Sequence, residues 1–311
     1  MSGSELNLSV NIGQKLPLKN PVMTASGTCG YGAEVARFYE PARLGALVLK
    51  GISLTPWPGN PCPRITETAC GMINSIGLQN VGLKAFIKEK LPVAKALGSP
   101  IIANILGGSA GEYVKIARAL EEAGVDGIEL NVSCPNVKKG GIAFGLDLKS
   151  FTKLIKAVRK DISGPAIIVK LSPGAQPIEA FARAAQEEGA DAVSLINTVP
   201  AMAIDADSRR PLIRNIVGGL SGPAIKPIAL WLVYKTSKAV TIPVIGIGGI
   251  RTGRDAIEFI LAGASAVQVG TASFVDPAAP VRVLEGIEGY MREKGIKDIS
   301  ALVGGLVTGC S

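Results

Sequence analysis

One cysteine lies in a context that favours chemistry, in a chain that contains no histidine. Cys134 is part of the run Asn131-Val-Ser-Cys-Pro-Asn136, which follows an apolar stretch typical of a β-strand. Histidine is the usual proton carrier near neutral pH, so a proton-transferring enzyme with this sequence needs another base. A thiol between two asparagines, which can hydrogen-bond a polar ligand, could be that base. The alternative is that Cys134 packs as a small apolar residue at a strand end, as free cysteines often do.

Two lysines follow runs of aliphatic residues. Lys50 comes after Leu47-Val-Leu49, and Lys170 comes after Ile167-Ile-Val169. A charged side chain at the end of a buried strand is destabilising unless it reaches solvent or meets an anion. Two such lysines favour an anion-binding site. A lysine that forms a Schiff base with a carbonyl substrate is the rival interpretation, although neither the thiol nor the asparagines would assist that reaction.

Glycine-rich turns follow the last two apolar segments of the chain. Gly248 and Gly249 lie in Ile247-Gly-Gly-Ile250, and Gly270 and Thr271 end the run Val269-Gly-Thr271. In an α/β barrel the loops after strands seven and eight commonly bind phosphate through backbone N–H groups. The pair of loops therefore predicts a phosphate site, and the alternative is that these glycines are ordinary turn residues.

A recurring phrase shows which elements must position these residues. Glycine closes an amphipathic segment and an apolar strand follows at four places, for example in Ala123-Gly-Val-Asp-Gly-Ile-Glu-Leu-Asn131 and Glu188-Gly-Ala-Asp-Ala-Val-Ser-Leu-Ile196. Such a glycine is typical of the helix-to-strand junction. Four further segments, residues 21–24, 101–105, 166–171 and 243–247, bring the expected strands to eight.

Helical patterns separate most of these strands. They cover residues 111–123, 148–160, 177–189, 222–240 and 253–263. Alternating strands and helices imply parallel pairing, and eight such units predict a (β/α)₈ barrel that forms one domain over residues 1–311. A doubly wound open sheet is the alternative, but no G-x-G-x-x-G turn follows the first strand.

Two long connections and the N-terminus complete the expected architecture. Residues 51–99 and 197–221 leave the carboxyl ends of strands, where barrel active sites form, and long connections are often lids or binding loops. Residues 6–18 alternate apolar and polar side chains around Asn11-Ile-Gly13. We expect them to form a hairpin that covers the bottom of the barrel.

Bulk properties exclude several other classes of protein. The net charge of +8 comes from basic residues scattered among acidic ones, without the basic cluster and aromatics that nucleic-acid binding requires. The five cysteines, Cys29, Cys62, Cys70, Cys134 and Cys310, match no zinc or iron–sulfur spacing. No apolar run reaches the roughly 20 residues that cross a membrane. We expect a reduced, cytoplasmic, soluble protein with no metal, in which the cysteines other than Cys134 are structural.

The motifs together resemble those of the class 1 dihydroorotate dehydrogenases over essentially the whole chain. The matching segments are Asn20–Gly27, Leu49–Ser53, Asn74–Asn80, Asn131–Asn136, Val169–Pro173, Ile196–Thr198, Leu220–Ala224 and Gly246–Ile250. The stretch Ile76-Gly-Leu-Gln-Asn80 is most similar to the 1B subclass, which reduces NAD through a second subunit. The membrane-bound class 2 enzymes instead have an N-terminal membrane helix and a serine base, and this chain has neither.

This resemblance implies an FMN and a dihydroorotate site at the barrel mouth. The FMN set carried over by motif is Ser26, Lys50, Gly51, Asn104, Asn131, Lys170, Ile196, Gly222, Gly248, Gly249, Gly270 and Thr271. The substrate set is Lys50, Asn74, Ser75, Ile76, Gly77, Leu78, Asn131, Asn197 and Thr198. Cys134 would be the catalytic base, and Lys50 would stabilise negative charge on the reduced flavin or the orotate carboxylate.

The implied reaction oxidises (S)-dihydroorotate to orotate in the synthesis of UMP. The Cys134 sulfur would take a proton from C5 while FMN takes the hydride from C6. Lys138 or Lys139 could favour the thiolate. FAD and an iron–sulfur cluster are expected only on an electron-transfer subunit, in a heterotetramer built on a catalytic homodimer.

Three other functions remain open from the sequence. One is the 1A subclass, a homodimer that passes electrons to fumarate. The second is a barrel like that of dihydropyrimidine dehydrogenase, acting on uracil or thymine. The third is a non-catalytic phosphate-binding barrel that serves as a scaffold.

Overall fold

The computed structural model describes residues 6–132 and 144–309. Its strands, in chain order, are β1 (Val10–Ile12), β2 (Leu16–Leu18), β3 (Val22–Thr24), β4 (Leu47–Val48), β5 (Ile65–Thr68), β6 (Gly71–Asn74), β7 (Ile101–Ile105), β8 (Gly127–Asn131), β9 (Ala166–Leu171), β10 (Ala192–Leu195), β11 (Val199–Met202), β12 (Ile204–Asp205), β13 (Arg210–Pro211), β14 (Val217–Ser221), β15 (Val244–Ile247) and β16 (Ala266–Val269).

Helices fill most of the connections between these strands. They are α1 (Leu83–Ala85), α2 (Leu91–Lys95), α3 (Ala110–Glu122), α4 (Leu148–Asp161), α5 (Ile178–Glu187), α6 (Lys226–Ser237), α7 (Gly253–Leu261), α8 (Ala272–Val275) and α9 (Ala279–Lys294). A π-helical turn, Phe86–Lys90, joins α1 to α2, and short 3-10 turns cover Pro41–Arg43, Pro223–Ile225 and Ile299–Leu302.

Eight of the described strands form a parallel sheet that closes on itself. Its order is β3-β16-β15-β10-β9-β8-β7-β4, and a bridge between Met23 and Ala46 brings β3 beside the segment that leads into β4. The predicted (β/α)₈ barrel is thereby confirmed. Parallel strands covered on both faces are expected to be continuously apolar, and all six residues of β9 are indeed buried.

The longer helices, such as α4, pack on the outside of the barrel through one apolar face. In α4 the buried residues are Phe151, Leu154, Ile155 and Val158, a spacing of three and four residues that places them on one side of a helix. Four of the five predicted helices begin and end within about two residues of the observed ones. The exception is the segment predicted over 222–240, which consists of a 3-10 turn followed by α6.

The N-terminal hairpin seals the amino-terminal end of the barrel. β1 pairs antiparallel with β2, and the fully or almost fully buried side chains of Ile12, Leu16 and Leu18 join the core cluster inside the barrel. This cluster includes Met23 and Ile102 from the barrel strands. The hairpin expected at the bottom is therefore present, and its apolar side chains fill that end of the barrel.

The two long connections pair with each other above the barrel mouth. They contribute a four-stranded antiparallel sheet with the order β11-β14-β6-β5. In its centre Asn74 of β6 is directly opposite Gly219 of β14. The segments expected to be lids or binding loops are thus partly regular structure.

In the described part of the chain, no helix combines the length and apolarity needed to span a bilayer.

Candidate active site

A buried polar network fills the barrel interior below its mouth. Lys170 of β9 donates from Nζ to Ser26 Oγ at 3.1 Å and lies 3.7 Å from Glu129 Oε1. Asn104 of β7 donates from Nδ2 to the same carboxylate oxygen at 2.7 Å. The sequence favoured an anionic ligand for Lys170, whereas the anion beside it in the structure is Glu129, whose side chain is fully buried. Three members of the predicted flavin set, Ser26, Asn104 and Lys170, are therefore linked, two of them through Glu129.

Two amide oxygens of this network have no hydrogen-bond partner among the described residues, namely Asn104 Oδ1 and Oε1 of Gln268, whose Nε2 donates to Glu129. Asn104 Oδ1 is buried and makes no hydrogen bond, although buried carbonyl oxygens are almost always satisfied. Gly51 lies against it, because a Cβ on Gly51 would come within 2.9 Å of Asn104 Oδ1. A buried acceptor beside a glycine is the arrangement expected where a ligand approaches the backbone closely and donates a hydrogen bond.

The predicted phosphate loops converge at one side of the mouth. Gly222 (φ 93°) and Gly249 (φ 76°) both adopt left-handed backbone conformations, and a Cβ on Gly249 would come within 2.9 Å of the Gly222 carbonyl oxygen. Thr271 Oγ1 donates to Ser221 Oγ at 2.8 Å. The loops after β14, β15 and β16 thus meet, which brings Gly222, Gly249 and Thr271 together.

The remaining two glycines of the flavin set are also closely packed. A Cβ on Gly248 would come within 2.8 Å of Ala229 Cβ in α6. On Gly270 it would lie 3.2 Å from Ala25 Cβ, in the residue before Ser26. Gly270 therefore connects the phosphate loops to the Ser26 side of the network, so the two halves of the predicted flavin set face one mouth.

Two asparagines at the ends of β8 and β10, the strands on either side of β9, contact each other. Asn197, just after β10, donates from Nδ2 to Oδ1 of Asn131 at 3.4 Å. The backbone N–H of Thr198 donates to Asn197 Oδ1 at 2.9 Å, and Tyr113 OH donates to the Asn131 carbonyl at 2.6 Å. Ile196, between β10 and Asn197, is buried. Asn131, Asn197 and Thr198 of the substrate set are thereby held as one group.

The segment Asn74–Leu78 is joined to this group through β14. Asn74 Nδ2 donates to the carbonyl of Gly219 at 3.4 Å, and a Cβ on Gly219 would collide with the side chain of Thr198. Asn60 holds the following residues, since its backbone N–H donates to Ile76 O and its Nδ2 donates to Ser75 O, both at 2.9 Å.

The same segment contains two residues with positive φ and a buried hydroxyl group. Gly77 (φ 74°) and Leu78 (φ 62°) turn the chain through positive φ values. The Ser75 hydroxyl is buried and has no hydrogen-bond partner among residues 6–132 and 144–309. The segment is therefore fixed by neighbouring loops while it retains an unsatisfied polar group.

Lys50 lies at the edge of the mouth, beside a cleft of about 460 Å³. The cleft is also lined by Tyr31, Pro56, Trp57, Pro58, Gln79, Asn80 and Val81. Burial and the charge of Arg64 lower the pKa of Lys50, and Glu34 partly opposes this shift. Among residues 6–132 and 144–309, no carboxylate forms an ion pair with its Nζ, so the ammonium is available to an anionic ligand.

The thiol predicted to be the base lies outside the described residues, and so do Lys138, Lys139 and Cys310. Of the other cysteines, Cys29 is buried, and burial raises the pKa of its thiol to about 11. This agrees with a structural role for Cys29. Cys62 and Cys70 are exposed free thiols and contribute little to core packing.

Several residues that contact the predicted site residues carry no motif that the sequence reveals. Glu129 is the most important, and Ser194 and Gln268 hydrogen-bond to it from β10 and β16. One signal was present, because Glu129 is a charged residue inside the apolar run Ile128-Glu-Leu130. Arg64 was also missed, since its proximity to Lys50 depends on a fold of the connecting segment that no local pattern shows.

Comparison with known proteins gives consistent matches over nearly the whole chain. The family model described as "Dihydroorotate dehydrogenase" matches residues 7–291. A protein of Geobacter sp. (strain M21) is 53% identical over 292 residues, which are 94% of this chain and 95% of that protein. Proteins of Geotalea uraniireducens (52% identical over 303 residues) and Thermoanaerobacter pseudethanolicus (51% over 301 residues) each cover 97% of this chain and are themselves 99% covered. All three are named "Dihydroorotate dehydrogenase B (NAD(+)), catalytic subunit".

Proposed function

Because this chain belongs to the dihydroorotate dehydrogenase family, we propose that it oxidises (S)-dihydroorotate to orotate in pyrimidine biosynthesis as the catalytic subunit of an NAD-linked enzyme. The observation that carries this proposal is the full-length similarity to NAD-linked catalytic subunits at 51–53% identity. The barrel mouth supports it, because cationic, amide and glycine groups from seven of the eight barrel strands or the loops after them converge there.

The residues at the mouth fit FMN. The unpartnered buried oxygen of Asn104 would accept a hydrogen bond from an N–H group of the flavin ring. Gly222, Gly249, Gly270 and Thr271 line converging loops of the kind that bind phosphate through backbone N–H groups. Lys170 and Ser26 would contact the ring, with Lys50, Gly51, Asn131, Ile196 and Gly248 completing the set. Bound FMN would supply the acceptor for the hydride that leaves the substrate.

Amides and one cation would hold the substrate. Asn131, Asn197 and the segment Asn74–Leu78 offer donors and acceptors to the amide groups of the dihydropyrimidine ring, and Thr198 completes this set. Lys50 has no carboxylate partner in the described part of the chain, so it would pair with the carboxylate of dihydroorotate. A uracil-type substrate lacks that carboxylate and would leave the Lys50 ammonium without an anion.

Cys134 would act as the base that removes the proton from C5. An ordinary thiol is about half ionised only near pH 8.5, so nearby cations such as Lys138 or Lys139 would favour the thiolate. The rate of substrate oxidation in Cys134→Ser, measured against pH in a single turnover, tests this role. We expect a slower reaction and an altered apparent pKa. An unchanged rate and an unchanged pKa would exclude the thiol as the base.

Electrons must leave the reduced site, and we propose that a partner subunit carries them. The relatives are named as catalytic subunits of NAD-dependent enzymes, which implies a second subunit. By resemblance, that subunit would hold FAD and an iron–sulfur cluster, in a heterotetramer built on a homodimer of this single-domain chain. The free thiols of Cys29, Cys62 and Cys70 support a cytoplasmic location.

Steady-state turnover of the FMN-loaded chain with an artificial dye acceptor tests the proposed function. We expect orotate to form from dihydroorotate, and no oxidation of dihydrouracil. Production of orotate with fumarate as acceptor, without any gain from the partner subunit, would instead indicate the 1A subclass. A purified chain that is colourless once FMN has been added and the unbound FMN removed would indicate a scaffold and contradict the proposal.

A further inference from the structure

A carboxylate lies at the centre of the barrel interior, where no solvent reaches it. Glu129 of β8 is fully buried, and it contacts residues from four other strands, β7, β9, β10 and β16. A buried carboxylate is strongly destabilising unless hydrogen bonds and a cation compensate for its lost hydration. The residues that provide this compensation include two members of the proposed flavin set.

The two oxygens of this carboxylate have different partners. Oε2 accepts hydrogen bonds from Ser194 Oγ and Gln268 Nε2, both at 2.8 Å, and these donors hold it towards β10 and β16. Oε1 accepts from Asn104 Nδ2 at 2.7 Å and lies 3.7 Å from Lys170 Nζ. One oxygen therefore fixes the carboxylate in place, and the other acts on groups proposed to contact FMN.

This arrangement determines which end of the Asn104 amide faces the ligand. A carboxylate only accepts hydrogen bonds, so the Asn104 NH₂ group must point towards Glu129. The amide oxygen, Oδ1, is then left at the other side, where it is buried and has no partner in the described part of the chain. Glu129 thus makes Asn104 an acceptor, and an amide turned the other way would present a donor.

The same oxygen also balances the charge of Lys170. The Lys170 side chain is 6% exposed, and Glu129 is the carboxylate within 4 Å of it among the described residues. If the carboxylate became neutral, Lys170 would be a buried cation without an anion. The site would then carry one more positive charge, which stabilises the more negative, reduced form of a bound flavin.

We propose that Glu129 is a positioning residue of the flavin site, which orients the Asn104 amide through one hydrogen bond and compensates Lys170 through an ion pair. This inference rests on the proposed function, since it concerns the same flavin site. The alternative is a purely structural role, in which Glu129 only links the barrel strands. If Glu129 positions Asn104, exchanging donor and acceptor groups between these side chains changes the binding of FMN. If Glu129 only links the strands, the exchange has no such effect.

The first test is the affinity of the apo-protein for FMN in Glu129→Gln, measured by quenching of flavin fluorescence. The introduced NH₂ group would meet the NH₂ group of Asn104, or else the two donors Ser194 and Gln268. We expect FMN to bind at least about tenfold more weakly, the effect of a lost hydrogen bond to a charged group. We also expect the midpoint potential of the bound FMN to rise. Ser194→Ala is the matched control, because it removes one hydrogen bond from the other oxygen, and we expect its effect to be several-fold smaller.

A rescue variant separates positioning from a general structural role. In Glu129→Gln combined with Asn104→Asp, the new carboxamide would donate to the new carboxylate while its oxygen still accepts from Ser194 and Gln268. An acceptor would again face the ligand, and a negative charge would again lie near Lys170. We expect FMN to bind more tightly to this double variant than to Glu129→Gln. Asn104→Asp alone would place two carboxylates side by side and bind more weakly than the double variant.

The outcomes distinguish this inference from the proposed function. If the unmodified chain fails to bind FMN, the proposed function is wrong. If it binds FMN but Glu129→Gln binds equally well with an unchanged potential, only the inference is overturned. If Glu129→Gln fails to fold, as judged by circular dichroism, the affinity of the double variant for FMN is compared with that of Asn104→Asp instead. Equal or weaker binding by the double variant would then reject the positioning role.

Discussion

At the scale of single residues, the proposed binding of FMN depends on how closely Gly51 and Asn104 approach each other at the barrel mouth. Asn104 Oδ1 is buried and no described residue hydrogen-bonds to it, and Gly51 leaves the space through which a ligand could reach it. The proposed affinity for flavin therefore depends on the absence of a single methyl group as well as on the polar atoms.

Gly51→Ala tests this dependence. The added Cβ would come within 2.9 Å of both Asn104 Oδ1 and Leu106 Cδ2, so the Asn104 amide must shift. We expect the dissociation constant for FMN, measured by fluorescence quenching, to rise by about tenfold or more, as for loss of one well-placed hydrogen bond. Gly289→Ala is the control, because nothing lies within 4 Å of a Cβ at that position in α9. Equal affinity in both variants would show that Asn104 does not contact the flavin.

A second residue-scale prediction concerns Lys50, whose pKa is lowered by burial and by the charge of Arg64. The ammonium loses its proton as the pH rises through the pKa, so Lys50 becomes neutral at a lower pH than an ordinary lysine. We expect orotate binding, followed by the flavin spectrum, to weaken in that alkaline range. The measurement is made in a Cys134→Ser background, so that titration of the thiol does not contribute.

Lys50→Arg should remove this alkaline decline, because a guanidinium stays charged throughout the range. Whatever its affinity for orotate at neutral pH, we expect the affinity of Lys50→Arg to stay constant as the pH rises. Lys88→Arg, at an exposed position, should keep the profile of the parent protein. An alkaline decline that persists in Lys50→Arg would mean that another group binds the carboxylate.

At the scale of elements, helix α7 begins with a capping box that also anchors α6. Thr252 Oγ1 accepts from the backbone N–H of Asp255, and Asp255 Oδ2 accepts from the backbone N–H of Thr252 at 2.9 Å. Lys226 of α6 donates to Asp255 Oδ1 at 2.6 Å. Since Lys226 also packs beside Gly249, this junction supports the loop proposed to bind phosphate.

Asp255→Asn should destabilise the fold by about 1–2 kcal/mol at neutral pH, as expected for a lost helix cap and a lost charged hydrogen bond. Burial alone would raise the pKa of Asp255, but hydrogen bonds from Lys226, Arg251 and Thr252 outweigh it and lower the pKa. A group with a lowered folded-state pKa contributes its full stability above its ordinary value of 3.8 and loses it as the pH falls through the folded-state pKa.

Denaturant unfolding at several pH values measures this contribution. The difference between the parent protein and Asp255→Asn should be constant near neutrality and shrink in acid. Glu258→Gln, which removes the more exposed partner of Lys226, should change the unfolding free energy much less. A difference that does not depend on pH would show that the charge of Asp255 is unimportant.

The elements also show which parts of the fold a sequence can reveal. The aliphatic run Ala166–Leu171 predicts β9 with its observed ends, because a parallel strand buried on both faces has a strong local signal. The sheet above the mouth was not predicted. β6 (Gly71–Asn74) and β14 (Val217–Ser221) are short, contain glycine, and are stabilised by pairing between distant parts of the chain. Only the fold brings such segments together.

At the scale of the whole molecule, one end of the barrel is closed, and the polar residues of the predicted site lie at the other end. The hairpin β1–β2 fills the bottom with apolar side chains, while the predicted site residues that the structure describes lie on or near the loops of the mouth. The motifs predicted site residues at the carboxyl ends of the strands, where barrel active sites form. They did not reveal Glu129, since its role depends on partners from four separate strands.

The most direct test of the central claim is an anaerobic titration of the FMN-loaded chain with dihydroorotate, followed by visible absorption. We expect the flavin band to be bleached and one orotate to form for each flavin reduced. NAD alone should not restore the band until the partner subunit is added. A flavin band that dithionite bleaches but dihydroorotate leaves unchanged would contradict the proposal that this barrel oxidises dihydroorotate.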